Sequence, residues 1–162
     1  MKPLWAPWRM EYVSSPKSDT NIFEEKSKSN DDRENLVLYR GELSFVLMNL
    51  YPYNNGHLLI APYRKVNTLE KLNAEENSEI MKLSQVSMKV LRSTMNADGF
   101  NLGLNIGKAA GAGIEEHLHF HIVPRWNGDN NFMPSIGNTK VMVQGLEDTY
   151  DMLKSEFDRI EL

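Results

Sequence analysis

The sequence predicts an antiparallel α+β fold in which helices form a layer on a sheet. Three observations carry that reading: short β-prone runs joined by hairpin-length connections, one long run with helical apolar spacing, and a late segment of strict alternation. With 162 residues, 41% of them hydrophobic, the chain is long enough for one well-cored domain. We therefore expect a single domain over 1–162, with an N-terminal arm and connector (1–35), a core (36–126) and a C-terminal segment ending in a helix (127–162).

Residues 1–13 hold Trp5, Trp8, Met10 and Tyr12 with two prolines, too aromatic for a free tail and too proline-rich for a helix. They are expected to pack on something. Residues 14–35 turn to Ser, Lys, Asp, Glu and Asn, with only Ile22 and Phe23 apolar, which reads as an exposed, disorder-prone connector. Residues 36–39 and 44–48 are β-prone runs on either side of the compact turn Arg40-Gly41-Glu42, which predicts a hairpin. After the loop 49–56, His57-Leu58-Leu59-Ile60-Ala61 is a further strand, closed by Pro62.

Asn73 followed by Glu76 is a capping-box pattern, and Ile80, Leu83, Val90 and Leu91 then recur at helical spacing until Asp98-Gly99. Ser84 and Ser87 share that stripe and permit close approach to a sheet, while Met81, Met88 and Met95 widen it. Phe100, Leu102, Leu104 and Ile106 alternate with Asn101, Gly103 and Asn105, the pattern of a strand with one apolar face. Glycines at 107, 111 and 113 free the backbone of the next connection, and Leu146, Tyr150, Leu153 and Phe157 mark a last helix over 146–160.

A net charge of −4 argues against duplex binding, which needs clustered Lys and Arg, so no nucleic-acid partner is expected. The chain has no cysteine, which excludes disulfides, thiolate zinc sites and cysteine nucleophiles. Neither a leader pattern nor a run of about 18 apolar residues occurs, so a soluble cytoplasmic protein without a membrane partner is expected.

The segment Glu116-His117-Leu118-His119-Phe120-His121-Ile122-Val123-Pro124 carries three of the four histidines at alternate positions. On a strand, His117, His119 and His121 share one face while Leu118, Phe120 and Ile122 enter the core. Imidazole acts near neutral pH as nucleophile, proton carrier or metal ligand, so a row of three points to chemistry. Three alternate strand positions span about 13 Å and cannot easily converge on one ion, but two of them with His57 could. If Asn101 and Asn105 share the histidine face, amides and imidazoles meet at the mouth of the glycine-rich loop, with Lys108 and Arg125 nearby, a surface suited to phosphate. No Gly-x-Ser-x-Gly elbow is present, which leaves histidine as the best nucleophile, one able to form a phosphoramidate that a second acceptor breaks down.

His117-Leu118-His119-Phe120-His121-Ile122-Val123 resembles the histidine triad (HIT) motif, and the likeness extends further. Asn55-Gly56-His57-Leu58-Leu59-Ile60-Ala61-Pro62 resembles the family's upstream Gly-His strand, and Asn101-Leu102-Gly103-Leu104-Asn105 with Ala110-Gly111-Ala112-Gly113 resembles its nucleotide-binding strand and loop. Leu4-Trp5-Ala6-Pro7-Trp8-Arg9-Met10 and the run from Pro124-Arg125-Trp126 to Phe132 are similar to the bacterial branch that includes diadenosine tetraphosphate (Ap4A) phosphorylases.

The resemblance implies a five-stranded antiparallel sheet, a homodimer that extends it, and a nucleotide or dinucleoside polyphosphate substrate, with no cofactor and no metal. It implies His119 as the nucleophile, His121 as its phosphate-binding partner, His117 and His57 as supporting groups, and Asn105 with Gly111, Ala112 and Gly113 around the phosphate. Leu47, Asn49 and Ile22-Phe23 fall where the family often contacts base and ribose, and Trp126 and Phe132 fall near the nucleotide or the dimer partner. Non-catalytic nucleotide sensing and phosphoramidate hydrolysis are the alternatives. Two departures stand out: many relatives hold a structural zinc with a Cys-x-x-Cys near Asn21-Ile22-Phe23-Glu24, and phosphorylase relatives often have a hydroxyl residue where this chain reads Ala112-Gly113.

Overall fold

A computed structural model describes residues 21–129, 136 and 141–160, so expectations for residues 1–20 and for Phe132 lie outside the described residues. The elements are α1 (Ile22–Lys28), β1 (Val37–Arg40), β2 (Ser44–Met48), β3 (Leu58–Pro62), α2 (Ala74–Met95), β4 (Gly99–Leu104), β5 (Phe120–Arg125) and α3 (Leu146–Phe157). The strands form one five-stranded sheet in the order β1-β2-β3-β5-β4, with every pairing antiparallel. No described helix is long and apolar enough to cross a membrane.

Side-chain alternation gives this sheet two different faces. Leu38, Val46, Met48, Leu58, Ile60, Phe120 and Ile122 pack under α2 and α3 against Ile80, Leu83, Leu91, Leu153 and Phe157. Val37, Phe45, Leu47, Leu59 and Ala61 point the other way and gather around Phe23 of α1. The capping box forms in both directions, Asn73 Oδ1 accepting from Glu76 N–H at 2.7 Å and Glu76 Oε2 accepting from Asn73 N–H at 2.9 Å. Ser84 and Ser87 are buried where α2 meets the sheet. The Glu79 carboxylate then accepts from Glu42 N–H and Leu43 N–H at 2.7 and 2.8 Å, fastening the β1–β2 turn to α2.

Several elements differ from the sequence reading. Residues 21–35 are not an exposed connector: Asn21 caps α1, and Phe23 is wholly buried because it closes the second face of the sheet. β1 begins at Val37, since Leu36 adopts φ 57°. α2 stops at Met95, before Asp98-Gly99, because Asn96 takes the left-handed conformation that asparagine tolerates. Met81 is exposed, whereas Met88 and Met95 reach the core. β4 lies at a sheet edge, and its Leu102, like Ile106 beyond it, is about two-fifths exposed (42% and 39%), so neither face of that strand is fully covered. The histidine strand begins only at Phe120. His117 and His119 precede its ladder, although Leu118 still enters the helical core as the alternation requires.

Gly56, directly before His57, has φ +70°, and a Cβ there would lie 2.6 Å from Met95 Sδ and 3.0 Å from Leu91 Cδ2. Gly56→Ala is expected to destabilise the protein by roughly 1–3 kcal/mol from backbone strain, with the clash adding to it. Urea denaturation checks this, and an unchanged midpoint contradicts it.

Candidate functional site

The imidazoles sit on the sheet face covered by α1. Register places His121 opposite both Leu59 of β3 and Gly103 of β4, so β5 carries it beside the loop that precedes β3. Ring centroids are 5.0 Å apart for His119 and His121 and 5.1 Å for His57 and His121. Phe23 packs against His117 at 5.1 Å and His119 at 4.8 Å, and Tyr53 stacks on His121 at 5.8 Å.

Fixed backbone groups assign a proton to each ring. His119 Nδ1 lies 2.9 Å from the His117 carbonyl oxygen, which can only accept, so Nδ1 carries the hydrogen and Nε2 keeps its lone pair. Burial pushes the His119 pKa below its ordinary value, which keeps the ring neutral. Tyr53 N–H donates to His57 Nδ1 at 3.0 Å, so the neutral His57 carries its proton on Nε2. That Nε2 lies 3.0 Å from His121 Nδ1 and donates to it, which leaves the His121 proton on its Nε2. A neutral nucleophilic nitrogen thus stands beside an N–H able to donate.

His117 is tied at both nitrogens, with Nε2 donating to Pro62 O at 2.8 Å and Nδ1 accepting from Asn21 Nδ2 at 3.0 Å. Neither nitrogen is left to ligate a metal. Among the described residues no cluster of three or more His, Cys, Asp or Glu is placed to hold one. The arrangement suits nucleophilic attack on a phosphorus centre, with a hydrogen bond donated by the neighbouring ring.

Comparison with known proteins bears on that chemistry. The HIT domain model matches residues 30–128. The chain belongs to the HIT family. It is 42% identical to the AP-4-A phosphorylase of Mycobacterium tuberculosis over 98% of its own length and 86% of that protein. It is 37% identical to the bis(5'-adenosyl)-triphosphatase of Dictyostelium discoideum over 57% of its length and 62% of that protein. The zinc-bound histidine triad family protein of Mycobacterium smegmatis superposes with a TM-score of 0.63 at 25% identity, covering 76% of this chain and 84% of that one. The chain is a HIT-family enzyme, similar to an AP-4-A phosphorylase.

Around the HIT imidazoles, the other expected residues are placed unevenly. Asn105 follows β4 two positions beyond Gly103, the residue opposite His121, and is half-buried there. Asn49 Nδ2 reaches His57 Nδ1 at 3.3 Å and its Oδ1 accepts from Tyr51 N–H, so it helps to shape the loop before His57. Leu47 is buried in the apolar cluster around Phe23. Trp126 instead donates from Nε1 to Met95 O at 3.0 Å, toward the end of α2.

The glycine-rich loop does not offer all the amides expected of it. Gly107 and Gly111 take positive φ and close a tight turn, in which Ala110 and Ala112 N–H donate to Gly107 O and Gly111 N–H to Lys108 O. Those three amides are spent inside the loop. Nor does Arg125 present open charge: it donates to Asp129 through Nε and Nη2 at 2.6 and 2.9 Å, and to Asn101 Oδ1 at 3.0 Å. The Lys108 side chain is 82% exposed and lies 3.6 Å from Glu115.

Sequence reasoning missed Asn21 as a site neighbour, Tyr53 and Asp129. Hydrogen bonds from Arg125 hold the Asp129 carboxyl at about 2, and Asp129 also accepts from Asn54 Nδ2 at 2.9 Å. Asn54 O in turn accepts from His57 N–H at 3.2 Å, so this cluster braces the loop behind His57. Asn21 before Ile22-Phe23 did carry a readable N-cap signal, but its partner ninety-six residues away had none.

Burial lowers the pKa of both His117 and His119 from 6.5. The unfolded chain takes up protons near 6.5 that the folded rings resist, so the unfolded state binds more protons in acid. This stability is complete above 6.5 and is lost as the pH falls from there toward the folded values. The melting temperature is expected to drop between about pH 7 and pH 5. Thermal melts followed by circular dichroism at spaced pH values check this, and a flat profile over that interval contradicts it.

Proposed function

We propose that this enzyme cleaves a dinucleoside polyphosphate of the Ap4A type at an α-phosphate, through a nucleotidyl intermediate on His119. The observation that carries the reading is the His119 tautomer: its Nδ1–H is held by the His117 carbonyl at 2.9 Å, leaving Nε2 as a neutral nucleophile. In the first step Nε2 bonds to the α-phosphorus as the bond to the bridging oxygen breaks, and His121 Nε2–H donates a hydrogen bond to that oxygen, which leaves on ATP as an anion. His57 Nε2–H donates to His121 Nδ1 at 3.0 Å and so keeps the His121 proton on Nε2, facing the leaving oxygen. Inorganic phosphate then attacks the adenylyl-His119 phosphorus, forming ADP and returning His119 Nε2 as a lone pair.

Phosphate as acceptor is favoured by the 42% identity to an AP-4-A phosphorylase over nearly the whole chain, against the shorter match to a triphosphatase. In this reading Asn105, which follows β4 two positions beyond the partner of His121, binds phosphate oxygens.

Incubation with Ap4A, with and without inorganic phosphate, tests the reading by ion-exchange separation of the nucleotides. ADP with ATP formed only in the presence of phosphate is expected, and His119→Asn should lower turnover by at least about a thousandfold. AMP with ATP formed without phosphate would make water the acceptor. Full activity in His119→Asn sinks the covalent mechanism.

The same reading includes a homodimer that continues the sheet across β4, an edge strand whose Leu102 is 42% exposed. A lysine on an edge strand opposes such pairing. Leu102→Lys is therefore expected to convert a dimer to monomer in sedimentation velocity, and a wild-type protein that sediments as a monomer overturns the assembly.

A further inference from the structure

The structure assigns to Asn21 the task of positioning the His119 nucleophile: its side-chain amide locks His117, and the locked His117 presents the carbonyl that fixes the His119 ring. The inference rests on the reading of His119 as nucleophile, and it adds a residue from α1, outside the triad strand, to the machinery.

Asn21 is 4% exposed and uses both ends of its amide. Oδ1 accepts from Phe23 N–H at 3.0 Å as the cap of α1, which turns Nδ2 toward His117 Nδ1 at 3.0 Å. On the opposite side His117 Nε2 donates to Pro62 O, the last residue of β3, at 2.8 Å. Pro62 O can only accept and Asn21 Nδ2 can only donate, so the two together permit one tautomer of a neutral ring. The next peptide is held as well, Leu118 N–H donating to Val66 O at 2.6 Å.

With its ring clamped between α1 and β3 and the following amide bonded, His117 has little freedom in the peptide unit whose oxygen meets His119 Nδ1 at 2.9 Å. Were that oxygen to turn away, His119 could carry its proton on either nitrogen, and part of the population would lack a lone pair on Nε2. The charged groups facing His117 are Glu24 from α1, Lys65 from the segment after β3, and Glu116 from its own segment, with Lys65 paired to Glu116 at 2.7 Å. The polarity of its hydrogen bonds comes from Asn21 and Pro62.

Asn21→Asp isolates this role, because a carboxylate still caps α1 but offers His117 Nδ1 an acceptor instead of a donor. With Pro62 O still requiring a proton on Nε2, His117 is expected to become doubly protonated at neutral pH, which ring 15N–1H correlation spectra read directly. Because the ring stays bonded at both nitrogens, kcat for Ap4A with inorganic phosphate should stay within about twofold in this variant, whereas Asn21→Ser, which removes the bond, should lower it about tenfold with KM within about twofold, the mark of lost positioning without lost binding. A His117 ring unchanged in the Asn21→Asp spectra, or kcat within about twofold of wild type in Asn21→Ser, overturns the assignment, whichever of the two is seen.

Asn21→Ser keeps a cap of similar quality but is too short to reach His117. It is expected to melt near the wild type, so that its loss of kcat reports the lost bond and not unfolding. His119→Asn separates the two readings. Turnover retained there removes the nucleophile, whereas the wild-type and Asn21→Asp ring spectra judge the link from Asn21 to His117 without any activity.

Discussion

The antiparallel pairing of β3 with β5 is the constraint on which the rest of this molecule depends. It consists of three register pairs, Leu58 with Ile122, Leu59 with His121 and Ile60 with Phe120. A slip by one residue would exchange the two faces of β5, sending His121 under the helices and Ile122 toward the imidazoles. Ile60 and Ile122 are wholly buried and Phe120 nearly so, and burial of each such side chain contributes about 1.5–3 kcal/mol. The apolar face under α2 and α3 therefore holds the register, and the imidazole face inherits it. His57 and His121, sixty-four residues apart, meet at 3.0 Å as a result.

On that frame the chemistry is set by backbone groups whose hydrogen-bonding sense cannot change. Tyr53 N–H faces His57, Pro62 O faces His117, and His117 O faces His119. Reversing one tautomer would set two acceptors or two donors against each other, at a cost of about 1–3 kcal/mol, or a population ratio of roughly 5 to 150. Each of these imidazoles thus has its tautomer set by the fold itself. Burial acts in the same direction, since the rings of His117 and His119 stay neutral where an exposed histidine would begin to protonate.

The covering helix α1 links these two layers. Phe23 completes the second apolar cluster while lying against two of the imidazoles, so the contact that stabilises the open face of the sheet also encloses His117 and His119. At the start of this helix the chain has an amide that hydrogen-bonds to the first histidine of the triad. A hydrogen bond of this kind gives the ring both direction and tautomer.

The sequence by itself determined whatever is periodic or strictly local. Alternation assigned Leu118, Phe120 and Ile122 to the core even though the ladder starts only at Phe120, and Asn73 with Glu76 marked the start of α2. The triad motif pointed to the family and to three of the four imidazoles, because its spacing follows from the two-residue period of extended chain. Tertiary structure decided what depends on partners distant in the chain. Charge on Arg125 looked available until Asp129 and Asn101 claimed it, and the glycine loop looked open until its own carbonyls took the amides of Ala110, Gly111 and Ala112. Residues 21–35 looked polar enough to be a connector because only Ile22 and Phe23 are apolar, yet one phenyl ring with a sheet face to cover was enough to order a helix. Composition records how many groups can bond or be buried, whereas their partners, and hence which remain free for a ligand, are settled only when the chain brings them together.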